Sequence, residues 1–284
     1  MIKVCLGCKS SDVVVLSHEL RRCGACGFLF VAPAERARQQ ASFHLISEQT
    51  VDPEQLAALR RKYPKDSHQK KALYARYATR LMAEYGASIR ALDVGASGGF
   101  FLQELELRGA LKEHLRTLEV EPKYLALTEE YFGYQGAIGN IETYAPVEQF
   151  DVVTMFDVLE HVDNFWLALQ TIHHMLTPDG RLILKLPNAN WAYLKYRLMH
   201  ALGREQTIPF YLYLTPGGHL NYWNHASIKY LESAGFTLER FEYARPSRQQ
   251  FGRQYWLRML GWQVDRLLGT QLFPEFIVTF VKRG

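Results

Sequence analysis

The chain has 284 residues, 48% of them hydrophobic, and a formal net charge of +4. That is apolar material for one large core plus a small appendage, and the charge is too small and too dispersed to argue for a nucleic-acid partner. No stretch is apolar for the roughly 18–20 residues of a membrane span, and the first residues lack a charged-then-apolar signal pattern, so a cytoplasmic protein is expected.

Residues 1–32 carry two C-x-x-C knuckles, Cys5-Leu6-Gly7-Cys8 and Cys23-Gly24-Ala25-Cys26-Gly27, separated by a predicted hairpin of Val13–Leu16 against Leu20–Arg22. Four thiolates on two tight turns suit a closed, tetrahedral Zn2+ site. Such a site is structural, because four cysteines leave no open position for catalysis. These are the only cysteines, so none remains for a disulfide or a nucleophile. Thiolates held this way also fit a reducing compartment. A ribbon of about thirty residues depends on its metal to fold.

Residues 33–88 connect the ribbon to the main domain. Pro33 and the polar run from Ala34 to Gln40 read as a linker. Two helices are predicted next, over 53–63 and 68–86, the second placing Leu73, Tyr77, Leu81 and Tyr85 on one stripe. Arg60, Arg61, Lys62, Lys65, Lys70 and Lys71 read as a solvated face.

The run from Ala91 to Phe100, A-L-D-V-G-A-S-G-G-F, is a buried strand ending in a glycine-rich turn that opens a helix. Glycines there let backbone approach a nucleotide-like ligand. Residues 114–121 form a second strand ending in Glu121, a carboxylate suited to both hydroxyls of an adenosine ribose. Dinucleotides fit poorly: the spacing Gly95-x-x-Gly98-Gly99 departs from G-x-G-x-x-G, and Asp93 would set negative charge against a pyrophosphate. S-adenosylmethionine (SAM) has an ammonium, a sulfonium and a ribose, and no phosphate. Further along, Phe150–Val162 begins as an apolar strand and breaks into a polar turn; a helix follows over 163–176 with Asp163 as N-cap. Thr177-Pro178-Asp179-Gly180 is a turn, and Arg181–Asn188 another buried strand.

These segments resemble the class I SAM-dependent methyltransferases, strongly over 89–190 and more loosely to the end. The resemblance implies an α/β fold, a doubly wound, mostly parallel seven-stranded sheet, over residues 89–284. It places the cofactor on Asp93, Gly95, Ala96, Ser97, Gly99, Glu121, Pro122, Asn140, Ile141 and Phe156. Ser97 departs from the glycine usual there. Tyr74 or Tyr77 would line the methionine end. His219 is the first candidate for a general base, matching an H-L-x-x-F-like motif; His161 and Asp157 would flank the methyl position, with Tyr222 and His225 in reserve. Related sugar C-methyltransferases carry a Glu-His pair where this chain has Gly218-His219, so a paired carboxylate is absent locally.

Residues 189–218 hold Trp191, Tyr193, Tyr196, Phe210, Tyr211 and Tyr213, an aromatic lid in one reading and rings packed on the sheet in the other. In 250–273, Tyr255, Trp256, Leu260 and Leu267 stand among arginines. One reading is a basic amphipathic helix touching a membrane; cover over the sheet is the favoured one. The ribbon and methyltransferase together resemble bacterial enzymes that act on sugars. The chain ends soon after the seventh strand, which argues against C-methylation and leaves O-methylation expected, with N-methylation as the alternative. The expected acceptor is a hydroxyl of a sugar, glycan or secondary metabolite, free, nucleotide-linked or lipid-linked. The rivals are a ribbon-guided RNA methyltransferase and a non-catalytic SAM-binding scaffold. The ribbon lacks the basic–aromatic interleaving RNA recognition would use.

Overall fold

A computed structural model of the chain describes residues 4–17, 20–32, 36–37, 50–145, 148–203, 218–248 and 252–283. The predicted linker, Arg36 and Ala37 apart, and the lid aromatics Phe210, Tyr211 and Tyr213 lie outside them. The predicted hairpin is β1 (Val13–Val15) and β2 (Leu20–Cys23), and β3 (Leu29–Val31) pairs antiparallel to β2.

A single 33-residue helix, α1 (Pro53–Tyr85), replaces the two predicted helices. The Asp52 side chain accepts from the Glu54 N–H at its start. The helix runs through Pro64, where one helical hydrogen bond is lost for want of a donor. Packing on both sides of that point overrides the local cost. Tyr63 stacks on Tyr131 with ring centroids 4.2 Å apart, and Tyr74, Tyr77 and Leu81 are buried.

Beyond α1 the chain alternates: β4 (Ala91–Val94), α2 (Phe100–Glu106), β5 (Leu115–Glu119), α3 (Pro122–Phe132), β6 (Gln135–Ile138), β7 (Phe150–Phe156), α4 (Phe165–Met175), β8 (Leu176–Pro187) and α5 (Ala189–Ala201). After it come β9 (Asn221–Tyr222), α6 (His225–Ile228), β10 (Phe236–Tyr243), α7 (Tyr255–Leu268) and β11 (Glu275–Lys282). Seven strands make one sheet in the order β10-β11-β8-β7-β4-β5-β6, as expected. Strands β4 to β8 are mutually parallel, and β11 runs antiparallel to both neighbours. One face packs Leu92, Val153 and Leu184 against Phe165, Leu169 and Ile172 of α4. The other packs Ala91, Val152 and Ile183 against Tyr77 and Leu81 of α1 and Phe101 of α2. Burial on both faces is why these strands read as continuous apolar runs.

Two local expectations shift. The α4 N-cap is Asn164, whose side chain accepts from the Leu167 N–H; Asp163 instead pairs with Arg36 at 2.6 Å. The predicted Thr177–Gly180 turn lies inside β8, where Phe150 pairs Leu176 but Val152 pairs Arg181, so these residues bulge out of the ladder.

The ribbon is joined to the main domain by pairing as well as by sequence. β9 adds to β3, giving the order β1-β2-β3-β9 with Leu29 opposite Tyr222. Phe28 of the ribbon packs 5.3 Å from Trp223 and 5.9 Å from Phe165 in the same buried cluster as three of the cysteines. Among the described residues no helix is long and apolar enough to cross a membrane.

Candidate functional site

The sheet's strand order reverses at β4, which lies between β5 and β7. Open α/β sheets bind ligands at such a switch point, outside the carboxyl ends of the strands. There a cavity of about 440 Å³ is lined by Gly95, Val120, Asn140, Ile141, Val158 and His161, among others. Gly95 makes the close approach possible: its φ is +67°, and an added Cβ would sit 2.5 Å from Val158. Its N–H donates to the Leu118 carbonyl at 2.8 Å, fixing the turn to β5.

Three carboxylates surround this turn. Asp93 is buried and accepts from Thr154 Oγ1 at 2.6 Å; burial pushes it up to about 7. Strand β5 ends at Glu119, two residues short of the predicted end, so Glu121 stands on the turn into α3 as its N-cap residue with Pro122 in the first turn. Glu121 is half-buried and pairs with Lys123 at 2.5 Å. Glu119, which the sequence reading missed, is buried and accepts the Ser97 N–H. Burial pushes its carboxyl up to about 8. The signal for it was present: in L-E-V-E the two acids are two residues apart, on one side of an extended chain.

Ser97 adopts φ +56°, left-handed backbone that glycine takes without cost, so the departure from glycine is a conformational one. Gly99, also left-handed, is the N-cap residue of α2, and Ala96, just before Ser97, is buried. Asn140 turns the chain after β6, its side chain accepting from the Glu142 N–H at 2.9 Å, and Ile141 is buried beside it. Phe156 sits in an aromatic cluster 5.0 Å from Tyr74 and 5.1 Å from Phe101, away from the cavity lining. Burial and the nearby Asp93 and Asp157 push Tyr74 well up.

The histidines converge beyond β7. His161 and His219 lie with ring centroids 4.8 Å apart, and the Tyr222 ring is 5.4 Å from His219. His161 Nδ1 donates to the Gly218 carbonyl at 3.0 Å. The paired carboxylate found missing beside His219 in sequence is supplied in space: Glu160 Oε1 lies 3.8 Å from His219 Nε2. Burial and the neighbouring His161 push His219 down to about 3, and burial with the nearby Asp157 raises Glu160. Desolvation would raise Asp157, but Lys185 beside it holds it below the usual carboxylate range. Lys185 is buried and also reaches Glu275 at 3.1 Å. His225 stands apart, against Phe241 at 4.8 Å.

The four cysteines converge as a separate centre. Cys5 and Cys26 sulfurs are 3.8 Å apart, Cys8 and Cys23 sulfurs 3.6 Å, and all four lie within 4.8 Å of one another. A tetrahedron with Zn–S of about 2.3 Å has sulfurs about 3.8 Å apart, so the donor set fits that ion.

A methyltransferase domain family matches residues 67–240, more than half of the chain. Relatives include ubiquinone biosynthesis O-methyltransferases. The Haemophilus ducreyi protein is 28% identical over 166 residues, covering 52% of this chain and 68% of that one. The Pseudomonas putida (strain F1) protein is 31% identical over 108 residues, covering 37% of this chain and 47% of the relative, about half its length. A SAM-dependent methyltransferase structure from Mesorhizobium loti shares the fold with a TM-score of 0.52 at 18% identity, over 72% of this chain and 96% of that one. With a nucleotide-sized cavity at the switch point and the family match across it, the chain belongs to the class I SAM-dependent methyltransferases.

Proposed function

We propose that this enzyme methylates a hydroxyl of a small-molecule acceptor, a sugar, glycan or secondary metabolite, with a structural Zn2+ on Cys5, Cys8, Cys23 and Cys26. The observation that carries the reading is the cavity at Gly95, on a glycine turn that Asp93 precedes and whose Ser97 N–H Glu119 holds. The O-methyltransferase relatives support oxygen as the acceptor atom.

SAM supplies an electrophilic methyl group, so the protein's task is alignment and removal of one proton. Asp93 would face the ammonium, and Glu121 would accept the ribose hydroxyls. Gly95, Ala96, Ser97 and Gly99 give backbone access, with Glu119 pinning the Ser97 N–H. Pro122 fixes the start of α3 behind Glu121, Asn140 and Ile141 border the adenine side, and Phe156 backs the methionine side. His219 would receive the hydroxyl proton. Burial holds it neutral and weakly basic, so the role needs the anionic Asp157, which raises it. His161 and Tyr222 would orient the acceptor.

Titration calorimetry with SAM tests the cofactor assignment; absence of binding to folded, metal-replete protein would refute it. A screen of labelled methyl transfer to nucleotide sugars, lipid-linked glycans and total RNA then finds the acceptor, and transfer to RNA alone would overturn the small-molecule reading.

A further inference from the structure

Helix α7 is turned inside out relative to an ordinary surface helix. Trp256, Leu257, Leu260, Val264, Leu267 and Leu268 are 66%, 74%, 63%, 43%, 80% and 71% exposed. At about 100° per residue these six fall within a stripe roughly 120° wide. A soluble amphipathic helix buries such a stripe against the core. Here the opposite side faces the body: Met259 is buried, and Trp262 Nε1 donates to the Tyr243 carbonyl at 3.3 Å. The leucine-rich face therefore has no cover among the described residues.

Charge says what covers it. The only carboxylate in α7, Asp265, is buried and accepts from Thr270 Oγ1 and the Leu272 N–H. The remaining charges on the helix and in residues 244–254 before it, Arg245, Arg248, Arg253, Arg258 and Arg266, are all cationic. Arg248 lies over Trp256 at 5.1 Å, at the edge of the stripe. Helix α5 adjoins: Asn190 Nδ2 donates to the Gln271 carbonyl at 3.3 Å, just past α7, and Lys195 feels the charge of Arg258. It presents a second stripe, Leu194, Leu198 and Leu202, at 41%, 59% and 58% exposure, with no acidic residue in the helix. A leucine stripe that ends in an exposed tryptophan under Arg248, on a segment whose exposed charges are all cationic, matches a helix lying in a lipid interface. A second copy of the chain would set arginines against arginines, whereas anionic headgroups neutralise them.

We propose that α7, with the adjoining stripe of α5, docks this enzyme on an anionic lipid bilayer. The full chain should sediment with phosphatidylcholine vesicles containing phosphatidylglycerol roughly tenfold or more better than with phosphatidylcholine alone, since each basic residue near an anionic surface adds about 1 kcal/mol. Binding should also shift tryptophan fluorescence to the blue as Trp256 leaves water. Leu257→Asp with Leu267→Asp should abolish sedimentation, and Arg253→Glu should weaken the phosphatidylglycerol preference, both with unchanged circular dichroism and SAM binding. The leucines are exposed, so these changes spare the fold. No binding to phosphatidylglycerol vesicles, or binding undiminished in the double variant, would overturn the proposal. So would a dimer that dissociates in that variant without any vesicle binding.

Discussion

Replacing Glu121 by alanine is the sharpest perturbation of the cofactor site. A carboxylate accepting two ribose hydroxyls makes two charge-assisted hydrogen bonds, each contributing about 1.5–3 kcal/mol. Against this stands the ion pair with Lys123, whose side chains are 28% and 26% exposed. A pair that wet contributes at most about 1 kcal/mol, so little is gained when SAM binding competes with it. The net loss should be about 2–5 kcal/mol, or roughly 30- to 5,000-fold in Kd. Glu121→Gln keeps an acceptor without the charge and should fall between wild type and alanine. Isothermal titration with SAM reads the change directly, and a thermal melt confirms that the fold persists. A shift under about threefold for Glu121→Ala would mean that Glu121 does not hold the ribose.

Gly95→Ala should abolish detectable SAM binding in the same titration, because the added methyl meets Val158 at 2.5 Å on left-handed backbone. Ser97→Gly should stabilise the protein by about 0.5–1 kcal/mol, since removing a left-handed penalty of about 1–2 kcal/mol exceeds the glycine entropy cost of about 0.5–1 kcal/mol; urea midpoints test it. Stability should fall as pH rises from about 5 towards 8. Glu119 and Asp93 have folded values raised to about 8 and about 7 from 4.5 and 3.8, so the native state binds more protons than the unfolded chain across that range. Glu119→Gln should flatten that slope in urea unfolding followed against pH.

What the sequence made legible was local. Cys5, Cys8, Cys23 and Cys26 announce their centre by spacing, and Ala91–Phe100 announces the ligand turn by glycine density and apolar run length. What it hid depends on distance or context. Glu160 and His219 meet across 58 intervening residues, so no motif could pair them. Glu119 was passed over for Glu121 because only strand termination decides which acid is buried under the turn, and a strand end is set by its neighbours. The gap between the two predicted helices opens at Pro64, yet one helix runs across it, with Tyr63 stacked on Tyr131. The outward stripe of α7 has the same periodicity as a buried one; only exposure separates the two readings.

The ribbon's attachment bears on the chemistry. His219 and Leu220 lead directly into β9, and what holds this segment comes from two sides. From the ribbon side, Val31 N–H donates to the Leu220 carbonyl at 3.0 Å and β3 pairs with β9. From the main domain, Leu220 N–H donates to the Glu160 carbonyl at 2.6 Å and Asn221 Nδ2 to the Val162 carbonyl at 2.7 Å. Strand β3 in turn follows Cys26 by two residues, so the cysteine centre sets where β3 runs. Loss of the metal should therefore loosen the backbone that carries His219 while the glycine turn, held by the Leu118 carbonyl and by Glu119, keeps its shape. Chelated protein should lose about one zinc per chain, retain SAM binding within about threefold, and show faster amide exchange at Leu29–Val31 and Leu220–Trp223. Exchange there unchanged after verified metal loss would show that the ribbon's hold on His219 does not depend on the ion.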